Sequence, residues 1–409
     1  MKKKRFLSID NMNDEKRIAW LKIIIAASFF IGIIIANHLW FGARLYPKSP
    51  VVDTLKLLPA WTDDIAAALL LCGLVLIAFS KNPKRYIVAV LALCIFLIAE
   101  DQGRLFPSFY EYIILLFIFA ACSWKKERRD VSRNILNVCR FGVALIYFWS
   151  GMQKINPFFE GQISWVMLPI LQVFPALRGG FIGWAGIIAP LVEIEIGIAL
   201  LFKKTRNAAL IEALFMHAAL FFLIGPWRNP WNAGAWAWNL ASGFIVFILF
   251  FRTENIAAKE IIFPKHGEKY FAYGAAMIFF GILPGLNFIN IWDSSASFNV
   301  YSGNVARGEI YVNKSAVKEF PAGIQKYIDA SSGSLGSYYF LDLNAWSENE
   351  LRAEPYPAPR IFKDITRSLC SYAASGTDVR LVIHEKLSLF EEPNFLNDAK
   401  RYDCAALLQ

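Results

Sequence analysis

The residues of this chain best placed to do chemistry are ionisable groups set into apolar sequence. Lys154 sits in Tyr147-Phe-Trp-Ser-Gly-Met-Gln-Lys-Ile-Asn-Pro-Phe-Phe159, with aromatic and aliphatic side chains on both sides. An ammonium in such surroundings loses solvation, which favours the neutral amine, and a lysine tuned that way can serve as a general base. The plainer alternative is a snorkelling lysine whose stem lies along lipid while its head reaches water.

Glu193 and Glu195 fall inside the apolar run Pro190-Leu-Val-Glu-Ile-Glu-Ile-Gly197, and Glu212 and His217 fall inside the next one. A charge at the centre of a lipid-embedded helix costs about 2.5–3.5 kcal/mol on insertion scales, so each calls for a reason. On a helix, Glu193 and Glu195 point about 200° apart, so only one can face a given cavity and the other faces another helix or a water pocket. Glu212 and His217 are expected to share a face loosely. An interhelical hydrogen-bonded pair that holds the helices together competes with a functional reading, a proton relay or the polar lining of a ligand cavity. No His/Glu pair at i,i+4 spacing stands on one helix, and no Cys/His cluster of metal-site type occurs, so no metal site is expected.

Further polar groups fall at the ends of apolar runs: His38, Asp63, Asp64, then Glu100, Asp101, Gln102 and Arg104. A mixed-sign cluster there would rim a cavity, or simply meet interfacial water. Trp227, Trp231, Trp236 and Trp238 crowd one stretch with Asn232 and Asn239. An interfacial aromatic belt accounts for such crowding, and a flat hydrophobic ring such as a quinone would use the same side chains.

These residues are positioned by apolar runs that fill the chain up to about residue 288. A crossing needs about 20 mostly apolar residues. Runs at Ile18–Trp40, Ile65–Ser80, Tyr86–Ile98, Tyr112–Trp124, Ile135–Gly151, Trp184–Phe202, Ala208–Trp227, Trp236–Phe251 and Tyr270–Leu286 predict about nine membrane helices. The net charge of +9 is concentrated in alternate loops, beginning with Lys2, Lys3, Lys4 and Arg5 and including Lys125 and Lys126. By the positive-inside rule the N-terminus is cytoplasmic and the C-terminus extracytoplasmic, so the basic balance reports topology and no nucleic-acid partner is implied. The first run is too long for a signal-peptide core and lacks a small-x-small cleavage site, so it is read as a permanent span.

From 289 to 409 the sequence predicts a small extracytoplasmic α+β domain, separate from a membrane domain over 1–288. Strands are expected at Ser297–Tyr301, Glu309–Val312, Tyr338–Leu341 and Val379–Ile383, with a helix over Pro359–Ala373. Cys370 and Cys404 lie in this region, where an oxidising compartment permits a disulfide, although spacing alone does not show that the thiols meet. Cys72, Cys94, Cys122 and Cys139 belong to apolar runs and read as small core residues.

Around Lys154 the chain resembles the vitamin K-dependent γ-glutamyl carboxylases and their bacterial relatives, the HTTM membrane proteins. Gly151, Lys154, Ile155, Asn156 and Phe158 or Phe159 follow that pattern of an aromatic helix running into Gly-x-x-Lys. Glu193 with Gly197 resembles an acidic-x-x-x-Gly helix, and His217 in Phe-Met-His-Ala resembles a mid-helix histidine. Asp101-Gln-Gly-Arg104, followed by Pro107 and Tyr110, is similar to a segment of HTTM and DoxX-like proteins. The resemblance implies a lipid-soluble quinol bound or oxidised at the outer leaflet, with Lys154 as base and His217 as a helper. Glu193, Glu195, Asp101, Arg104, Trp238 and Asn239 would line the cavity or relay protons. The carboxylases carry a large exported region that grips a peptide, and this tail is too short for one. A second function expected is a non-enzymatic DoxX-like scaffold or accessory subunit of a redox or export complex, with a protein partner at the tail. A third, transport through a polar cavity, would use Glu193, Glu195 and His217 but lacks the paired broken helices of many transporters.

Overall fold

The computed structural model describes residues 12–59, 61–122, 128–228, 232–253, 255–263, 270–391 and 399–408. Part of the basic loop residues used for topology, among them Lys2–Arg5, Lys125 and Lys126, and also Trp231, lie outside the described residues.

The N-terminal region is a bundle of helices: α1 Asp14–Ile35, α2 Trp61–Phe79, α3 Lys84–Glu100, α4 Pro107–Ala121, α5 Arg128–Gln153, α6 Gly180–Ala199, α7 Arg206–Ile224 and α8 Ala233–Phe250. Local sequence sets their ends. The Asn13 side chain accepts a hydrogen bond from Lys16 N at the start of α1, and Pro107 opens α4 where a missing N–H costs nothing. Among the described residues, six helices are long and apolar enough to cross a membrane: α1, α2, the Ser132–Gln153 part of α5, α6, α7 and the last segment, Phe271–Ile289. The Pro107–Ala121 and Ala235–Phe250 helices are apolar but shorter, and α3 has 17 residues. The molecule is therefore built as a helical membrane protein.

The last segment begins as a helix, Tyr270–Ala276, widens into a π-helical stretch, Met277–Ile282, and ends in the short helix Leu283–Leu286. Pro284 lacks an N–H, and the π stretch shifts the ladder, so nearby carbonyls need other donors. Tyr110 Oη donates to Phe279 O at 3.0 Å, Trp149 Nε1 to Gly281 O at 3.0 Å, and Gln153 Nε2 to Pro284 O at 3.1 Å. This irregular backbone thereby clamps α4 and α5 beside the Lys154 turn.

Buried arginines close other helix ends. Arg17 donates to Ile248 O and Phe251 O, Arg140 to Leu249 O, and Arg206 to Thr253 O and Ile256 O. Part of the basic surplus thus serves as side-chain caps on carbonyls at helix C-termini.

The C-terminal region holds a five-stranded antiparallel sheet in the order β2-β3-β1-β4-β5. Its strands are β1 Arg307–Asn313, β2 Ile328–Leu335, β3 Tyr338–Leu341, β4 Val379–His384 and β5 Lys400–Asp403. Helices α9 Leu343–Leu351 and α10 Pro359–Cys370 accompany it. Alternation along β1 and β4 buries Ile310, Val312, Val379, Leu381 and Ile383, which meet Ile361, Ile365 and Leu369 from α10. Cys370 and Cys404 form a disulfide.

The strand expected at Ser297–Tyr301 is not formed. Ser295–Ser297 is a 3-10 turn, and Phe298 and Tyr301 have positive φ. Phe298 turns into the end of the bundle against Tyr110 and Phe280, a tertiary demand that overrides β propensity. The C-terminal region is seated directly on the bundle. Glu350 accepts from the Leu45 and Tyr46 backbone, Arg360 Nε donates to Gln102 Oε1 at 2.7 Å, and Lys386 Nζ to Asn287 O at 2.8 Å.

Candidate functional site

The Lys154 site is built by two glycines that let α5 and α6 touch. A Cβ on Gly151 would lie 2.6 Å from Pro190 O, and one on Gly197 would lie 2.6 Å from Ala144 O and 2.7 Å from Phe148 N. Only hydrogen fits at either point, so the two backbones meet as small-residue pairs do in membranes. Helix α5 ends at Gln153. Asn156 then fixes the turn, accepting from Phe158 N at 2.9 Å and donating to Gln153 O at 2.8 Å and Ser302 O at 3.1 Å.

This places Lys154 Nζ 2.7 Å from Glu193 Oε2, with Ser150 Oγ at 2.7 Å and Ser150 O at 3.2 Å. Both side chains are buried. Lys154 therefore does not snorkel into water; its amine is held inside the bundle by a carboxylate from the neighbouring helix.

A second polar chain stands nearby. Tyr147 Oη lies 2.6 Å from His217 Nε2, and His217 Nδ1 lies 3.1 Å from Asn239 Oδ1. Asn239 Nδ2 donates to Ala235 O at 2.8 Å, which turns its oxygen toward the imidazole. With Asn239 Oδ1 accepting, His217 carries a proton on Nδ1, and in its neutral form the Nε2 lone pair accepts from Tyr147. Glu193 lies within electrostatic range of both Tyr147 and His217. Four helices, α5 to α8, therefore bring Lys154, Glu193, Tyr147, His217 and Asn239 into one neighbourhood.

Not every expected residue joins it. Glu195 faces outward, and its carboxyl meets Glu212 on the exposed side of α6 and α7. It thus faces another helix, as expected of the glutamate turned away from the Lys154 site, but at the surface of the bundle and not in a cavity. Glu212 and His217 do not share a face, since Glu212 is exposed and His217 turns inward to Tyr147. Five residues turn a helix by about 140° beyond a full circle, which separates them.

Asp101 and Arg104 belong to a different cluster. Arg104 pairs with Asp63 at 2.8 and 3.2 Å, bonds Leu39 O and Leu97 O, and stacks over Trp40. Asp101 pairs with Arg44 and accepts from Ser49 N and Gly103 N, while Lys48 reaches Asp63. Asp63, Glu100, Asp101 and Arg104 are all buried, so the mixed-sign cluster ties loops together and does not rim an opening. His38 is exposed.

The tryptophans scatter. Trp227 is exposed against Phe221 and Phe222, whereas Trp238 lines a cavity of about 730 Å3 between one end of the bundle and the C-terminal region. Trp238 Nε1 donates to Glu111 Oε2 at 2.6 Å. Glu111 is a buried carboxylate that sequence reasoning passed over, although a lone acid inside the apolar run of α4 was its signal. Lys154, Glu193 and His217 are not among the cavity's walls.

The architecture is that of a multi-helix membrane protein with a small antiparallel α+β region at one end. Comparison with known protein families, with curated proteins and with solved structures finds no match to this chain.

Proposed function

We propose that this is an integral membrane protein of carboxylase-like, HTTM-like type that binds a lipid-soluble quinol at the extracytoplasmic side, with Lys154 as proton acceptor. In this reading the shorter helices α3, α4 and α8 complete nine crossings, residues 1–288 form the membrane domain, and residues 289–409 lie outside. Support for the orientation is that buried Arg17, Arg140 and Arg206 gather on carbonyls at and just beyond the end of α8, in keeping with a basic cytoplasmic side.

One observation carries the proposal: a buried amine 2.7 Å from a carboxylate, beside a tyrosine–histidine–asparagine chain. Once the Lys154 ammonium has given up its proton, a quinol hydroxyl that reached Nζ would pass its own proton there, and the Glu193 carboxylate would hold the ammonium so formed. The Nε2 lone pair of His217 offers a further proton acceptor once Tyr147 turns away. Lipid extraction and mass spectrometry of the purified protein should recover a quinone. Lys154→Ala should weaken binding of a short-chain quinol at least tenfold, and unchanged binding would sink the proposal.

The second reading is a non-enzymatic accessory subunit, favoured by the outward-facing Glu195 and Glu212. Two carboxyl groups on the lipid side of apolar helices are costly unless a partner helix covers them. Under this reading Lys154→Ala is tolerated, while Glu195→Leu with Glu212→Leu disrupts assembly with the partner on blue-native gels.

A further inference from the structure

The cavity between the bundle and the C-terminal region is two-faced. Its floor is apolar: Gly32, Ile33 and Ala36 from α1, Phe109 and Tyr112 from α4, and Trp238 from α8. Its roof carries Glu309, Glu348 and Glu354 with Arg307 and Arg352. At about 730 Å3 it falls within the roughly 300–1,000 Å3 of small-molecule sites.

Glu354 is the telling residue. It lines this cavity with much of its surface open. Asn232 Nδ2 donates to Glu354 Oε1 at 2.9 Å and aims the carboxyl. Glu348 approaches from α9, close enough for the two acids to repel. Arg307 is engaged with Gly303 O at 3.1 Å, and both arginines are exposed while Glu309 and Glu348 are half-buried.

We propose that this cavity binds a membrane-derived amphiphile with an ammonium head, its chain on the α1–α4–α8 floor and its head between Glu354 and Glu348. Tyr112, Trp238 and Tyr301 add aromatic surface for the chain and head. Desolvation holds both carboxyls above the ordinary range, Glu348 at about 7 with added repulsion from Glu354 and Asp342. A bound cation relieves that penalty. The site goes beyond the quinol reading and stands apart from it, since Lys154 is not on the cavity wall, so each fails separately.

The test uses full-length protein in dodecyl maltoside micelles, which carry no ammonium group, and tryptophan quenching by 9,10-dibromostearylamine, the matching alcohol and the matching sulfate. The amine should quench saturably, at least tenfold more tightly than either control. Glu354→Gln should bring the amine to within about threefold of the alcohol. Gly32→Leu projects a side chain from the floor, where a Cβ meets nothing within 4 Å, and should remove the saturable component. Equal quenching by amine and alcohol, tighter binding of the sulfate, or saturable quenching that survives Gly32→Leu overturns the proposal.

Discussion

Trp238 and Glu111 are joined by a 2.6 Å hydrogen bond across α8 and α4, the indole N–H donating to a buried carboxylate. The bond fixes the indole on the cavity wall and gives the acid its one hydrogen-bond donor among the described residues.

Removing that donor should cost stability. Trp238→Phe leaves the Glu111 carboxyl without its partner, and an unsatisfied buried polar group costs about 1–3 kcal/mol. The thermal midpoint in detergent should fall, and Trp238→Phe with Glu111→Leu should regain part of the loss. An unchanged midpoint in the single variant would show that the bond contributes nothing.

The α5–α6 contact should be intolerant of bulk. Gly197→Val places methyl groups where Ala144 O and Phe148 N already lie within 2.7 Å of a Cβ. The helices must part, at about 1–3 kcal/mol or more for overpacking. A disulfide introduced between α5 and α6 as a distance reporter should then form more slowly than in the parent. Equal rates would mean that the backbones are not held this close.

Much of this was legible in the sequence, and the misses have physical causes. Glu193 and His217 announced themselves as charges in apolar runs. Lys154 did so through its aromatic surroundings, but its pairing with Glu193 depends on glycine contacts between helices, which no local pattern reports. Glu195 was misplaced because periodicity says which residues oppose each other on a helix and not which face meets lipid. In the C-terminal region, β1, β3, β4 and α10 carry the expected alternation or helical spacing. β2 reads Ile-Asp-Ala-Ser-Ser-Gly-Ser-Leu and β5 Lys-Arg-Tyr-Asp. Both are edge strands whose pairing comes from the neighbour they join.

The disulfide should matter most to the C-terminal region. Cys370 and Cys404 are 34 residues apart, and in the chain-entropy account a loop of that size stabilises by about 3–4 kcal/mol. Cys370→Ala with Cys404→Ala should raise hydrogen exchange in α10 and β4 while sparing α1–α8. Uniform exchange in the two proteins would contradict this.

Glu348 should make the C-terminal region sensitive to pH. Desolvation and the nearby Glu354 raise its pKa from 4.5 to about 7. The folded state then binds the proton more readily than the unfolded one, so this acid favours folding at low pH. Stability should fall as pH rises between about 4.5 and 7. Glu348→Gln should flatten the slope of the thermal midpoint over that window, and an identical slope in both proteins would remove Glu348 as its cause.

The Lys154–Glu193 pair allows fold and function to be separated. Lys154→Met alone strands a buried carboxylate, and Glu193→Leu alone strands a buried amine; breaking a buried pair from one side costs about 3–5 kcal/mol. Replacing both should recover most of that loss, because a packed apolar pair is often as stable as the ions it replaces. If the amine accepts the quinol proton, the double variant should be stable and yet bind quinol at least tenfold more weakly. A stable double variant with undiminished quinol binding would leave the pair a structural clasp and favour the accessory-subunit reading.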